Sequence, residues 1–307
     1  MALTEYVGNV ILNLDYYSGE DLYCDGEVED ELLEIVKKYN KNDFNNIIYE
    51  KGSWEMMYHL SEQRENIVGW FEFNDKTSVL EIGSGCGAIT GALAKNSKKV
   101  TCIELSKKRS LINGWRNREL NNIEILVGNF QDIEPNINEK YDVVTLIGVL
   151  EYAESYISSD NPYVEFLKIA GRHLKDNGKL LVAIENKLGM KYWAGCKEDH
   201  VSRYYESIEG YTNSSGVKTF GKTELEDLFK NAGFINYKFY YPYPDYKFAE
   251  TIYTDKRLPM IGELGNNLRN FDNNRIITFD ENKAFDTIIS NGLFQYYSNS
   301  FLVELMK

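Results

Sequence analysis

Short apolar runs recur along the chain, and the segments between them place apolar residues at every third or fourth position. Seven of these runs predict β-strands, near residues 78–82, 99–104, 123–127, 141–147, 179–185, 235–241 and 300–306. Up to residue 185 the predicted strands alternate with helices. Such alternation gives a parallel sheet with right-handed crossovers, so the pattern predicts an α/β doubly wound fold.

The first predicted strand ends in a glycine loop. Residues 78–94 read SVLEIGSGCGAITGALA, in which the strand breaks into Gly83, Gly85 and Gly87 before helical spacing resumes from Ala88 to Ala94. Glycines allow a tight turn and let a ligand approach the backbone where a side chain would collide. The free N–H groups of the new helix would face that ligand. We therefore predict a nucleotide-type ligand at this loop.

Two classes of nucleotide-binding enzyme share this arrangement. The spacing Gly83-x-Gly85-x-x-Ala88 fits the relaxed dinucleotide motif, and Glu104 ends the next strand where a ribose-binding acid is expected. Glu81 discriminates between the classes, because the position two before the first glycine is usually apolar in NAD-binding strands. An acid there favours S-adenosylmethionine (SAM), and a nicotinamide-dependent oxidoreductase is the less favoured alternative.

The chain outside the sheet falls into three regions. Residues 1–66 are predicted to form an N-terminal cap, partly helical, that is not part of the sheet. A helix that begins after Ser53, a suitable N-cap, carries the polar residues of this region. The main domain, 67–307, has insertions at about 186–220 and 245–293. The first insertion is long and aromatic, so we predict an ordered lid on the substrate side.

The charge balance narrows the range of partners. The 34 basic and 47 acidic residues give a net charge of −13, which argues against a nucleic-acid substrate because phosphate binding needs a basic surface. No signal peptide is visible, and no apolar run is long enough to span a bilayer. Cys24, Cys86, Cys102 and Cys196 are widely scattered, which predicts a reduced cytoplasmic protein with no metal site.

The chain resembles class I SAM-dependent methyltransferases over roughly residues 50–307. Residues 81–87 match E-x-G-x-G-x-G, which is similar to the first motif of that family. The segments YHLSEQREN, VTCIELSKKRS, LVGNFQDI, LIGVLEYA, AIENKLGMKYWAG and YYPYPDYK together resemble a bacterial subgroup associated with surface polysaccharide or flagellar glycan synthesis. The resemblance implies a Rossmann-like, seven-stranded sheet, mostly parallel, with an antiparallel last strand and helices on both faces.

The resemblance also implies which residues bind SAM and its product S-adenosylhomocysteine. Glu104 would accept both ribose hydroxyls, and Asn129 and Phe130 would border the adenine ring. Tyr58 and Arg64 would meet the methionine end, where Arg64 would pair with the carboxylate. The expected cofactor-binding residues are Glu81, Gly83, Ser84, Gly85, Gly87, Glu104, Leu105, Asn129, Phe130, Gly148, Tyr58 and Arg64.

Four polar residues follow the fourth and fifth predicted strands or lie in the predicted lid, and they are the candidate catalytic groups: Glu151, Tyr152, Asn186 and His200. The implied reaction is methyl transfer to an amine or hydroxyl of a small acceptor: a sugar, an amino acid or an activated glycan precursor. An amine needs only to be neutral, whereas a hydroxyl needs a base within hydrogen-bond reach. A glycosyltransferase would then be a partner protein. A non-catalytic SAM-binding partner of a glycan enzyme stays open as an alternative.

Overall fold

The computed structural model describes residues 3–21, 26–267 and 275–307. Cys24 lies outside these ranges, whereas the other three cysteines are buried free thiols. The described residues belong to two compact units, Met1–Leu146 with Arg172–Lys179 and Ile147–Gly171 with Leu180–Lys307. Within the described ranges, no helix is both long enough and apolar enough to cross a membrane.

The first unit is built on a mainly parallel sheet. Its elements in chain order are β1 (Thr4–Val7), β2 (Val10–Tyr16), α1 (Glu27–Lys38), α2 (Phe44–Lys51), α3 (Trp54–Leu60), β3 (Ser78–Ile82), α4 (Thr90–Lys95), β4 (Lys99–Glu104), α5 (Lys107–Arg116), β5 (Ile123–Gly128), α6 (Phe130–Ile133) and β6 (Tyr141–Ile147). The strands follow the order β1-β2-β5-β4-β3-β6. All neighbours from β2 to β6 are parallel, and Leu80 on β3 is in register with Thr101 on β4 and Val144 on β6.

The N-terminal region differs from its prediction as a cap outside the sheet. β1 and β2 form an antiparallel hairpin, and β2 then pairs in parallel with β5, with Leu12 opposite Ile125. Val10 and Leu12 are fully buried. The hairpin therefore extends the parallel sheet, and its apolar residues are buried where β2 lies beside β5.

The helical part of the N-terminal region packs on the glycine loop. Residues of α1, α2 and α3, among them Leu32, Phe44 and Met56, share one buried cluster with Cys86 of the loop and Ile112 of α5. Ser53 caps α3 by accepting a hydrogen bond from the Met56 N–H, as predicted. The predicted single helix is interrupted after Leu60, and a 3₁₀ turn, Glu62–Ile67, continues the chain. This packing fixes the side chains of α3 and the turn near the loop.

The second unit contains the rest of the strands. Its elements are α7 (Ala153–Tyr156), α8 (Pro162–Arg172), β7 (Leu174–Glu185), α9 (Met190–Trp193), α10 (Lys222–Asn231), β8 (Asn236–Tyr243), β9 (Thr251–Thr254), α11 (Glu281–Ser290), α12 (Phe294–Tyr297) and β10 (Ser300–Met306). The start of β7, up to Lys179, belongs to the first unit. The strand order is β7-β10-β8-β9, and β8 is antiparallel to both β10 and β9.

The described residues form ten strands rather than the predicted seven. The seven predicted strands are all present, as β3 to β8 and β10, and the last one is antiparallel to its neighbour β8 as expected. The extra strands are β1, β2 and β9. β9 lies in the predicted insertion 245–293 and pairs with the end of β8, where Tyr243 is in register with Thr251.

Candidate functional site

The glycine loop after β3 leaves space beside its backbone. Gly83, Gly85 and Gly87 all have positive φ, at 73°, 51° and 74°. A Cβ on Gly87 would lie 2.3 Å from Asn113 Oδ1 on α5, whereas a Cβ on Gly85 would meet no atom within 4 Å. Gly87 thus permits close packing on α5, and Gly85 borders open space where a ligand can reach the backbone.

Glu81 lies inside the protein beneath this loop. Its carboxylate accepts hydrogen bonds from Thr90 Oγ1 at 2.7 Å and from Cys102 Sγ at 3.4 Å. Burial raises the pKa of Glu81 to about 7, although these two donors oppose the rise. Ser84 is also buried. The Glu81 side chain therefore ties β3 to the start of α4.

Glu104, at the end of β4, holds the glycine loop with both carboxylate oxygens. Oε2 accepts a hydrogen bond from the Gly85 N–H at 2.8 Å, and Oε1 accepts one from the Ser106 N–H at 3.0 Å. Burial raises the pKa of Glu104, and these two backbone donors partly offset the rise. Each carboxylate oxygen can accept more than one hydrogen bond, so acceptor capacity remains for two hydroxyls of a ligand.

Tyr58 on α3 and Arg64 in the following turn lie together. The Arg64 guanidinium carbon lies 4.3 Å from the centre of the Tyr58 ring, and Nη2 donates to the Tyr58 hydroxyl at 3.3 Å. Arg64 is only 5% exposed. Burial, together with the guanidinium groups of Arg109, Arg64 and Arg116, lowers the pKa of His59 to about 3. Three guanidinium groups therefore surround His59, and of these Arg109 is paired with Glu29 at 2.6 Å.

The turn after β5 presents one polar and one aromatic side chain. Asn129 caps α6, because its Oδ1 accepts a hydrogen bond from the Gln131 N–H at 3.0 Å. Phe130 and Leu105 are half-buried. The Asn129 amide nitrogen remains as a donor to a base edge, and the two apolar side chains can contact its faces.

A second cluster lies in the second unit, around the His200 imidazole. Nδ1 lies 3.0 Å from Glu198 Oε1, and Nε2 lies 3.5 Å from Glu151 Oε1 and 3.8 Å from Glu185 Oε2. The Tyr152 ring packs edge-on against the imidazole, with centroids 5.5 Å apart. Burial alone would lower the pKa of His200, but Glu185, Glu151 and Glu198 together raise it well above its usual range. Burial also raises the pKa of Glu151.

Two lysines connect this cluster to neighbouring acids. Lys247 lies 2.5 Å from both Glu185 Oε1 and Asp199 Oδ2. Lys191 lies 2.9 Å from Asp199 Oδ2 and from Asp245 Oδ2. Burial would lower the pKa of Lys247, but Asp199 and Glu185 raise it well above its usual value. The result is a buried chain of alternating charges in which both lysines stay cationic.

Asn186 has a different environment from the other catalytic candidates. Its Nδ2 donates to the Tyr296 and Ser298 carbonyls, both at 2.8 Å, and its Oδ1 accepts from the Leu188 N–H. The side chain is fully buried. These contacts assign Asn186 to holding the chain after β7. Glu151 and Tyr152 both lie beside His200, and Gly148 lies beside Tyr246 and Glu151.

The segment 186–200, predicted as part of a lid, is largely interior. Met190, Tyr192, Cys196 and Glu198 are buried, and Trp193 is the aromatic residue of α9 with substantial exposure, at 39%. The Asn299 side chain holds the segment by accepting a hydrogen bond from the Lys191 N–H. The first part of the predicted insertion therefore forms a wall of the second unit.

Comparison with known proteins identifies the family. A model of the methyltransferase domain family matches residues 53–238, which is more than half of the chain. The chain belongs to this methyltransferase family. The match confirms the predicted class of enzyme, and it includes the glycine loop, Glu104 and His200.

Curated relatives are distant and carry several names. Ribosomal RNA small subunit methyltransferase A of Borreliella burgdorferi (strain ZS7) is 22% identical over 241 residues, covering 78% of this chain and 70% of that protein. The same enzyme of Borrelia garinii is 21% identical, and the match covers 56% of this chain and 58% of that protein. Tabersonine 16-O-methyltransferase of Catharanthus roseus is 26% identical, and the match covers 55% of this chain and 44% of that protein. These names do not confirm the predicted exclusion of nucleic acid.

Solved methyltransferase structures resemble the chain more weakly. A SAM-dependent methyltransferase of Thermotoga maritima, described as a possible histamine N-methyltransferase, is 17% identical with a TM-score of 0.44, covering 87% of this chain and 98% of that one. Phosphoethanolamine N-methyltransferase 1 of Haemonchus contortus was solved with phosphoethanolamine and S-adenosylhomocysteine. It is 14% identical with a TM-score of 0.48, and the match covers 93% of this chain and 51% of that one.

Several charged members of the His200 cluster were not predicted from the sequence. Glu185 ends β7 as an acid within an apolar strand, and Glu198 stands two residues before His200. Both are fully buried. An acid at the end of an otherwise apolar strand was the available sequence signal for Glu185. Lys247 and Asp245 lie in the segment YYPYPDYK, but their ion pairs were not predictable because the partners are distant in sequence.

Proposed function

We propose that the protein transfers a methyl group from SAM to an amine or hydroxyl of a small acceptor. The observation that carries the proposal is the pairing of open space at Gly85 with the Glu104 carboxylate, within a methyltransferase domain. An adenosyl group suits this site, because a ligand can approach the loop backbone closely and a carboxylate stands at the end of the second β-strand of the domain. When bound, SAM supplies an activated methyl group on a sulfonium.

In this proposal the first unit holds the cofactor. Glu104 accepts the ribose hydroxyls, Asn129 donates to the base edge, and Arg64 pairs with the methionine carboxylate. Loop residues 83–87 supply backbone contacts rather than side chains. Glu81 acts indirectly, by fixing the loop from beneath through Thr90. The protein's main catalytic task is to align the acceptor, which contributes ~7–11 kcal/mol in favourable cases.

The second unit supplies the acceptor groups in this proposal. Glu151 and His200 are the groups that can accept or hold a proton, Tyr152 packs beside them, and Asn186 positions the chain after β7. The acids of this cluster outnumber its ammonium groups. A negatively charged, buried site favours an amine or a neutral hydroxyl over a phosphate chain, because burial strengthens like-charge repulsion.

The acceptor class rests on the sequence resemblance. We propose a sugar, an amino acid or an activated precursor of a bacterial surface or flagellar glycan, made in the cytoplasm beside a glycosyltransferase partner. The free buried thiols of Cys86, Cys102 and Cys196 agree with a reducing location. The net charge of −13 supports a small acceptor over ribosomal RNA.

Calorimetry followed by methyl transfer tests the proposal. Purified protein is titrated with SAM, S-adenosylhomocysteine and NAD, and then incubated with labelled SAM and a panel of amines, sugars, amino acids, nucleotide sugars and small-subunit ribosomal RNA. We expect SAM binding and label on a small acceptor. NAD binding without SAM binding would indicate an oxidoreductase, and label on the RNA would contradict the acceptor class. Tight SAM binding without transfer to any compound would favour a non-catalytic partner.

A further inference from the structure

Three side-chain groups in the second unit converge at distances that suit one metal ion. Carboxylate oxygens of Glu151 and Glu185 and a ring nitrogen of His200 all lie within 4.8 Å of one another. The side chains are buried, with exposures of 1%, 0% and 8%. No cluster of ligands was visible in the sequence, because Glu151, Glu185 and His200 come from three separate segments.

The separations are too long for hydrogen bonds from His200 Nε2. Nε2 lies 3.5 Å from Glu151 Oε1 and 3.8 Å from Glu185 Oε2, whereas a charge-assisted N–H···O bond measures ~2.7–2.9 Å. Two ligands that each bind one zinc ion at ~2.0–2.2 Å lie roughly 3.0–3.5 Å apart. The observed spacing is close to this second range.

Glu198 sets the imidazole in the orientation that a metal ligand needs. Its Oε1 lies 3.0 Å from His200 Nδ1, and its Oε2 accepts the backbone N–H groups of His200 and Val201. Because Glu198 accepts, Nδ1 is the donor, and Nε2 is the nitrogen that points to the other two carboxylates. A carboxylate on the far nitrogen of a metal-binding histidine is the usual arrangement.

An unpartnered buried oxygen supplies an independent reason. Glu151 Oε2 is buried and makes no hydrogen bond to the described residues. Lys247 already pairs with Glu185 Oε1, and Asp199 is shared between Lys247 and Lys191. The nearby lysines therefore do not neutralise Glu151, which faces only the His200 imidazole among the basic groups described for this cluster. A divalent cation would satisfy that carboxylate and reduce the surplus of negative charge.

We propose that Glu151, Glu185 and His200 Nε2 bind one divalent transition-metal ion, such as Zn²⁺ or Mn²⁺. Binding releases the Nε2 proton to solvent, and the remaining coordination positions take water. If the protein is the methyltransferase proposed above, the ion can also hold the acceptor and lower the pKa of an acceptor hydroxyl. That consequence rests on the proposed function, whereas ion binding itself does not.

Metal titration of the full chain tests this site. Chelator-treated protein is titrated with Zn²⁺ and with Mn²⁺, metal content is measured after dialysis, and Co²⁺ absorption reports the ligands. We expect one ion per chain and at least ~10-fold weaker binding in Glu151→Gln and His200→Gln. His173→Gln is the matched control, since His173 is a buried histidine beside one acid, Glu134, at 2.9 Å.

The outcomes separate the ion site from the proposed function. SAM binding is measured in the same samples, and folding is checked by circular dichroism. If His200→Gln does not fold, the ion affinity of the near-isosteric variant Glu151→Gln decides whether the site binds the metal. No ion in the wild type, or equal ion affinity in the wild type and Glu151→Gln, would overturn the site even where SAM binds. Ion binding without SAM binding would overturn the proposed function and leave the site standing.

Discussion

Glu104 accepts a hydrogen bond from the backbone N–H of Gly85 at 2.8 Å, so the end of β4 is joined to the glycine loop that follows β3. The acid that is proposed to bind the ribose also fixes the loop that is proposed to face the rest of the cofactor. Loss of this carboxylate should therefore affect both the shape of the site and its contacts.

Replacement of Glu104 by Gln should weaken SAM binding by roughly 10- to 100-fold, because charge-assisted hydrogen bonds contribute about 1.5–3 kcal/mol each. The Gln amide would also direct an N–H group at a backbone N–H. Calorimetry measures the change. Glu124→Gln on the neighbouring β5, an acid paired with Lys99, is the control and should bind SAM normally. Unchanged affinity in Glu104→Gln would remove this residue from the proposed site.

Arg64→Lys should weaken SAM binding about 10-fold but leave the binding of 5′-methylthioadenosine unchanged, since that compound has no amino-acid carboxylate. A lysine cannot form the planar two-point contact of a guanidinium, nor lie flat on the Tyr58 ring. Arg118→Lys, an arginine that donates to the Val36 carbonyl, is the comparison. Equal losses for both ligands would show that Arg64 supports the fold rather than the methionine end.

Alanine at Gly87 and at Gly85 should affect different properties of the protein. Gly87→Ala should lower the free energy of unfolding by at least about 1–2 kcal/mol, because φ is positive and the new Cβ meets Asn113 Oδ1. Asn113 cannot move away easily, since Asn117 and Thr90 hold its side chain. Gly85→Ala shares the cost of a positive φ but avoids the collision, so it should destabilise the fold less and mainly weaken SAM binding. Urea unfolding and calorimetry measure the two effects, and equal destabilisation would contradict the prediction.

Glu81 should make stability depend on pH. Its pKa is raised by burial from 4.5 to about 7 in the folded protein. A raised pKa means that the carboxyl group stabilises the fold fully below pH 4.5, and that this contribution is lost as the pH rises towards 7. Urea unfolding of wild type and Glu81→Gln at several pH values should show a difference on the order of a few kcal/mol that grows over this range. Parallel stability curves for the two proteins would contradict the raised pKa, and Glu72→Gln, at an exposed site, is the control.

The sequence predicted the strands of the sheet well, because a central parallel strand must be almost wholly apolar. Val79, Leu80 and Ile82 illustrate this, with exposures of 0%, 0% and 3%. β2 was missed because its apolar residues alternate with Asn13 and Asp15, as suits a strand towards the edge of the sheet. The two residues Gly8 and Asn9 between β1 and β2 were an available hairpin signal.

The candidate site was predictable where its chemistry is local. Glu104 and the glycine loop are close in sequence, and their hydrogen bond follows from the strand order. The pairing of Lys247 with Asp199 is not predictable in this way, because it depends on how β8 places the chain after residue 243. The hydrogen bonds of Asn186 were not predictable for a related reason, since its partners at 296 and 298 are distant in sequence.

The alternating chain of Lys191, Asp199, Lys247 and Glu185 has a consequence for protein engineering. Each ammonium group lies between acids, so replacing one lysine alone would leave buried carboxylates without a counter-ion. Neutral substitutions here are expected to be tolerated only as matched pairs, such as Lys191→Met together with Asp245→Leu. Libraries that vary these positions one at a time would sample mostly unstable proteins, and altered specificity would have to be sought through coordinated changes.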